Sequence, residues 1–215
     1  MNTTNHNTRG LLAELRALRP NRHLSPSEAR SVAERQAALL LKRTGADTPV
    51  NLDLLDGLTR LRVRRDRGLP DMVAGSSHWT GAEWLICLNL NHPEQRQRFT
   101  AFHELFHVIE HSVRRFESSA TAEVLADHFA ACVLMPRPSV KQAWGNGIQD
   151  INELAEVFAV SEQAMRVRLV KLGLIDGTRH DCRRPRRIYF RLSIPTATPS
   201  AGPIPLRVAN LGGRS

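Results

Sequence analysis

The chain is poor in cysteine and aromatic residues and has no apolar run long enough to cross a membrane. Its 215 residues include only three cysteines, Cys87, Cys132 and Cys182. An odd number of widely spaced cysteines argues against a disulfide framework and indicates core thiols in a reducing compartment. The first six residues lack the charged-then-apolar layout of a signal peptide. We therefore expect a cytoplasmic protein with no membrane partner.

Acidic residues are scarce at the carboxyl end of the chain. Residues 179–215 hold eight arginines and one acidic residue, which is +7 of the net charge of +9 and leaves +2 for residues 1–178. The body is thus not a basic surface, whereas the tail is. Its prolines, glycines and few large apolar residues predict disorder. A solvated tail is the simplest interpretation, and non-specific contact with nucleic acid is the alternative.

Residues 103–107 contain the pattern HExxH, which is typical of a zinc site with its catalytic base. Residues four apart lie one helical turn above each other, so His103 and His107 can both offer a nitrogen to one tetrahedral Zn²⁺. Glu104 lies about 100° further round the helix, where a general base can reach a water without binding the metal. The surrounding segment has no proline or glycine and is mostly apolar, which predicts a buried helix.

A second predicted helix supplies the remaining ligand. A hydrolytic zinc site needs three protein ligands and one open position. Glu123 and Asp127 are four residues apart on an otherwise apolar helix, and two buried carboxylates would repel each other without a cation or histidine between them. We expect Glu123 to be the third ligand. Asp127 is expected to accept a hydrogen bond from a ligating histidine and so fix its tautomer.

Together these motifs resemble the ImmA/IrrE family of metallopeptidases, over roughly residues 45–175. The residues that carry the resemblance are Arg98-Phe99-Thr100, His103-Glu104-x-x-His107-x-x-x-His111, Glu123-x-x-Ala126-Asp127-x-Phe129-Ala130-Ala131 and Leu134-Met135-Pro136.

The resemblance implies an α+β, zincin-like fold with a small sheet and active-site helices. It also implies Zn²⁺ on His103, His107 and Glu123, with Glu104 as the base. Members of the family typically cleave a repressor, and so induce stress or mobile-element genes. This chain departs from the common family pattern at Phe102 and Phe106, and larger side chains there are expected to narrow the cleft near the metal.

The pattern along the chain predicts four regions. They are an N-terminal helical segment (1–44), the peptidase core (45–145), a helical subdomain that resembles a helix-turn-helix (146–178) and the basic tail (179–215). Trp84 to Leu90 is the best strand candidate, and we expect it to border the cleft and pair with an extended substrate. Gly75 and Gly81 are expected to mark turns before it.

Other interpretations of the same residues stay open. Arg166, Arg168 and Lys171 on the last predicted helix could meet phosphate, which would suit a DNA-binding regulator with a non-catalytic zinc site. The favoured interpretation is that residues 146–178 form a structural subdomain. The zinc ligands would also support hydrolysis of a small amide. His78 and His92 are interpreted as loop histidines, with oxyanion stabilisation as the alternative.

Overall fold

The structure is a computed structural model that describes residues 10–111 and 119–177. The described part is an α+β fold, in which no helix has the length and apolar character that a membrane span requires. The basic tail, Cys182 and residues 112–118 lie outside the described residues. The elements are α1 (Leu11–Ala17), α2 (Pro26–Thr44), a short 3-10 helix (Leu52–Leu55), β1 (Leu61–Asp66), β2 (Gly75–Trp79), β3 (Trp84–Asn89), α3 (Glu94–Glu110), α4 (Ser119–Leu134), α5 (Arg137–Gly145), α6 (Ile151–Val157) and α7 (Glu162–Leu172).

The three strands form one sheet in the order β1, β3, β2. β3 is parallel to β1 and antiparallel to β2, so both of its edges are occupied. The strand predicted at residues 84–90 is confirmed, but the expectation that it pairs with a substrate is wrong because it is central. The strand at the sheet edge beside α3 is β2. Gly75, expected to mark a turn, is instead the first residue of β2.

Several helix ends lie where local signals predict them. Ser25 forms a capping box with Glu28 at the start of α2, and Gly45 ends that helix with a φ of 63°. Ser161 caps α7 and Gly173 ends it with a φ of 68°. By contrast, α5 has no counterpart in the sequence interpretation. It starts directly after Pro136, which is its N-cap residue.

The core lies where α3 packs between the sheet and α4. Phe102 and Phe106 are buried in this core, and the Phe106 ring packs on that of Phe129 with centroids 5.6 Å apart. The prediction that these two phenylalanines narrow the cleft is therefore wrong. Their side chains fill the apolar space between the helices, and a smaller residue at either position would leave a cavity there.

Two buried arginines tie the last helices to the rest of the fold. Arg98 of α3 donates to the carbonyls of Val50 and Ala159, and Ala159 lies between α6 and α7. Arg168 of α7 is 3% exposed and donates to the Met135 carbonyl from 2.9 Å. Arg168 is thus not available to a phosphate group, which counts against the DNA-binding alternative at this residue. The α6–α7 pair is joined to the rest of the described fold by buried polar contacts.

Replacing Arg98 with methionine should lower the free energy of unfolding by about 3 kcal/mol, because two carbonyls lose a charged donor in a buried setting. Chemical denaturation would measure the loss. Arg96→Met is the matched control, since Arg96 is exposed on the same helix, and it should change stability by less than about 0.5 kcal/mol. Equal effects of the two substitutions would contradict this role for Arg98.

Candidate metal centre

The facing helices α3 and α4 bring the predicted ligand residues together. His103 and His107 lie one turn apart on α3, and Glu123 lies on α4. His103 is 1% exposed, while the side chains of His107 and Glu123 are 19% and 33% exposed. The cluster is therefore anchored in the core on one side and open to solvent on the other, as a site that admits a substrate must be.

The three side chains point at one another. His103 Nε2 lies 3.1 Å from His107 Nε2 and 3.1 Å from Glu123 Oε2, and His107 Nε2 lies 3.3 Å from Glu123 Oε1. Within the described ranges this is the one group of histidine, cysteine or acidic residues whose donor atoms converge, all within 4.8 Å. The candidate donor set is two imidazoles and one carboxylate.

These distances suit a zinc ion. Nitrogen and oxygen ligands lie about 2.0 Å from Zn²⁺ in a tetrahedral site, which places them about 3.3 Å from one another. Two imidazole nitrogens 3.1 Å apart can share at most one proton, and without it their lone pairs would repel. A cation between the two nitrogens removes this conflict. The donor set therefore fits the metal that the sequence predicts.

Asp127 contacts the ring nitrogen of His103 that does not face the cluster. His103 Nδ1 lies 3.0 Å from Asp127 Oδ1, so a proton on Nδ1 is donated to this carboxylate and the Nε2 lone pair is left for a metal. Burial lowers the pKa of His103, but the hydrogen bonds to Asp127 and Glu123 outweigh it and raise that pKa to about 9. Likewise, burial opposes ionisation of Glu123, but hydrogen bonds from His103 and His107 hold its pKa well below the usual range.

Glu104 lies beside the cluster without joining it. It is buried, at 6% exposure, and its Oε2 accepts a hydrogen bond of 2.8 Å from the hydroxyl of Ser77 on β2. The sequence interpretation missed Ser77. No local signal would have revealed it, because its position depends on β2 packing against α3.

Three further histidines, His78, His92 and His111, lie outside the cluster. The His111 ring packs edge-on against Trp84, with centroids 4.6 Å apart. His92 Nε2 contacts the Asp71 carbonyl at 2.8 Å in the loop before α3, in agreement with its interpretation as a loop histidine. His78 lies within β2 rather than in a loop, so that expectation is corrected.

His128 of α4 faces away from Glu123, and its Nε2 lies 3.7 Å from the sulfur of Cys132. Cys132 is a buried free thiol, as the sequence predicts, and so is Cys87. Burial, followed by the positive charges of Lys171, Arg168 and Arg30, lowers the pKa of His128 from 6.5 to about 4. The imidazole is therefore neutral in the folded protein at neutral pH.

Comparison with known proteins identifies the class to which such a site belongs. A peptidase family described as the IrrE N-terminal-like domain matches residues 60–170, more than half of the chain. The chain belongs to this family, which supports a zinc metallopeptidase-type role, and the resemblance stated from the motifs is confirmed.

Other comparisons add little. No curated protein matches the chain. A solved structure of a Mycobacterium tuberculosis transcriptional regulator is similar at 17% identity and a TM-score of 0.47, covering 74% of this chain and 51% of that one. The chain thus spans about half the length of that protein.

Replacing Asp127 with asparagine should weaken zinc binding about 10- to 100-fold, because the amide no longer fixes the tautomer of His103 as a carboxylate does. Competition with a chromophoric chelator would measure the affinity. Asp47→Asn removes the same charge from an exposed loop residue and should leave zinc affinity unchanged. Wild-type affinity in Asp127→Asn would refute this role.

The neutral state of His128 predicts a pH-dependent stability. Unfolding restores a pKa near 6.5, so the contribution is fully present above that pH and is lost as the pH falls towards about 4. Between these limits the free energy of unfolding of the wild type should fall more steeply than that of His128→Gln. Urea denaturation at several pH values would compare the slopes, and parallel slopes would contradict the prediction.

Proposed function

We propose that this chain is a zinc-dependent endopeptidase that cleaves a specific repressor or other transcriptional regulator, and so induces stress or mobile-element genes. The observation that carries the proposal is the convergence of His103, His107 and Glu123 beside the buried carboxylate of Glu104. Membership of the peptidase family supports the reaction class. The choice of a repressor as substrate rests on the family resemblance.

In this proposal each side chain has one task. His103, His107 and Glu123 would hold Zn²⁺, which when bound polarises the scissile carbonyl and makes a water more acidic. Glu104 takes a proton from the attacking water and passes it to the leaving amine. Asp127 keeps the His103 ring in the orientation and tautomer that a ligand needs.

The edge strand β2 is the proposed place for the substrate backbone. It is paired only on its β3 side within the described sheet, and its residue Ser77 contacts Glu104. A substrate segment that adds to this edge as an extended strand would pass beside the metal centre.

The proposed four-region division keeps residues 146–178 as a structural subdomain, since Arg98 and Arg168 tie it to the core.

A DNA-binding regulator with a non-catalytic zinc site is the alternative. Structural zinc sites usually have four protein ligands rich in cysteine, whereas this cluster has three donors and none is cysteine. The burial of Arg168 also weakens the DNA-binding alternative.

The Arg-rich tail, outside the described residues, is proposed to contact nucleic acid non-specifically, and the cytoplasm is the proposed location. Hydrolysis of a small amide would use the same residues without the β2 edge.

Glu104→Gln should retain one zinc per chain and lose activity about 10²- to 10⁴-fold, because the amide cannot accept the proton. The experiment measures bound zinc and incubates wild type and variant with the repressor-like protein encoded nearest the gene. Glu94→Gln, an exposed glutamate at the start of the same helix, is the matched control and should cleave normally.

The outcomes of this experiment separate the hypotheses. Cleavage by the wild type alone, with zinc in both proteins, would support the peptidase. Normal cleavage by Glu104→Gln would refute the assigned base, and absence of zinc from both proteins would refute the metal centre.

A further inference from the structure

The carboxylate of Glu104 needs a defined orientation that the HExxH motif does not itself provide. Glu104 is buried, and its side chain has several rotatable bonds. Its Oε2 lies 2.8 Å from the hydroxyl oxygen of Ser77. The Ser77 hydroxyl is the donor in this hydrogen bond.

The fold builds this contact by a close approach of β2 to α3. A Cβ atom on Gly75 would lie 2.7 Å from the Thr100 methyl carbon and 2.7 Å from the Cys87 carbonyl oxygen, so only glycine fits there. Gly75 and Ser77 lie on the same face of the strand because side chains alternate. Thr100 and Glu104 lie one turn apart on α3. The approach at Gly75 and Thr100 thus brings the short Ser77 side chain within reach of Glu104.

We propose that Ser77 is a positioning residue for the general base. Its hydroxyl holds Oε2 of Glu104 and leaves Oε1 directed to the attacking water. The water O–H bond breaks as its proton passes to Oε1, and the water oxygen bonds to the scissile carbonyl carbon. The same proton later passes to the nitrogen of the leaving amine as the C–N bond breaks. The proton of Ser77 stays on its own oxygen throughout. This inference rests on the proposed function, since it assigns a role in that reaction.

The strand offers a matched control one residue away. Ser76 has the same side chain and a similar partial exposure, but alternation places it on the opposite face of β2 from Ser77. Removal of the Ser76 hydroxyl therefore tests the strand without touching Glu104.

The first test compares Ser77→Ala with Ser76→Ala in the full-length, zinc-loaded protein, with the repressor substrate. Ser77→Ala should lower kcat about 10- to 100-fold, the usual effect of losing a hydrogen bond to a charged group, with KM and zinc content unchanged. Ser76→Ala should match the wild type. A kcat within twofold of wild type for Ser77→Ala, or equal losses in both variants, would overturn the proposal.

An isosteric pair separates the hydroxyl from the shape of the side chain. Threonine and valine both suit a strand and differ only by a hydroxyl in place of a methyl group. Ser77→Thr should keep a kcat well above that of Ser77→Val, even if Ser77→Ala fails to fold. Equal kcat values for threonine and valine would show that the hydroxyl has no role.

A structural readout keeps this test independent of the proposed reaction. Crystal structures of zinc-loaded Ser77→Thr and Ser77→Val should show the Glu104 carboxylate in its wild-type position only in the threonine variant. If the wild type cleaves no repressor, the proposed function fails, but the carboxylate positions still decide whether Ser77 orients Glu104. The same Glu104 position in both variants would refute the inference.

Discussion

The contact of one buried histidine on α3 with two carboxylates on α4 is the interaction on which the site depends. His103 is 1% exposed, and both of its ring nitrogens contact side chains of α4. A buried imidazole without partners would be costly, so the apolar packing of the helices is compatible with this residue only when Glu123 and Asp127 face it. The helix interface and the candidate metal centre are therefore one structural feature.

The orientation of α3 is set by further buried polar contacts along its length. Near its start Arg98 reaches Val50 and Ala159, and near its end Glu110 pairs with Arg19 at 3.0 Å and accepts from Gln36. These contacts join α3 to the N-terminal helices and to the last helix pair. A displacement of α3 would leave several charged groups unpaired in the core, so the fold resists movements that would separate the ligand atoms.

Features of the fold and the site that depend on residues close together in the sequence could be predicted, whereas features that depend on distant residues could not. His103 and His107 are four residues apart, and so are Glu123 and Asp127. This spacing reflects the period of a single helix, so it can be recognised in the sequence without knowledge of the fold. The caps at Ser25 and Ser161 are equally local. The strand β2 has the polar sequence Gly-Ser-Ser-His-Trp and is a strand only because β3 pairs with it. The contact of Ser77 with Glu104 depends on that pairing and was therefore not predictable.

The last helix pair shows the same difference between a local sequence pattern and the contacts that the fold makes. Its sequence carries basic residues on a capped helix, which is the local pattern of a recognition helix. A helix that binds DNA must, however, present those side chains to solvent, and Arg168 is buried with its guanidinium directed at the end of α4. A buried guanidinium needs a hydrogen-bond acceptor, and the Met135 carbonyl at the end of α4 provides one. This contact joins α7 to the helix that carries Glu123. At Arg168, a basic residue of α7 thus stabilises the packing of α7 against the end of α4, whereas Lys171 on the same helix is exposed.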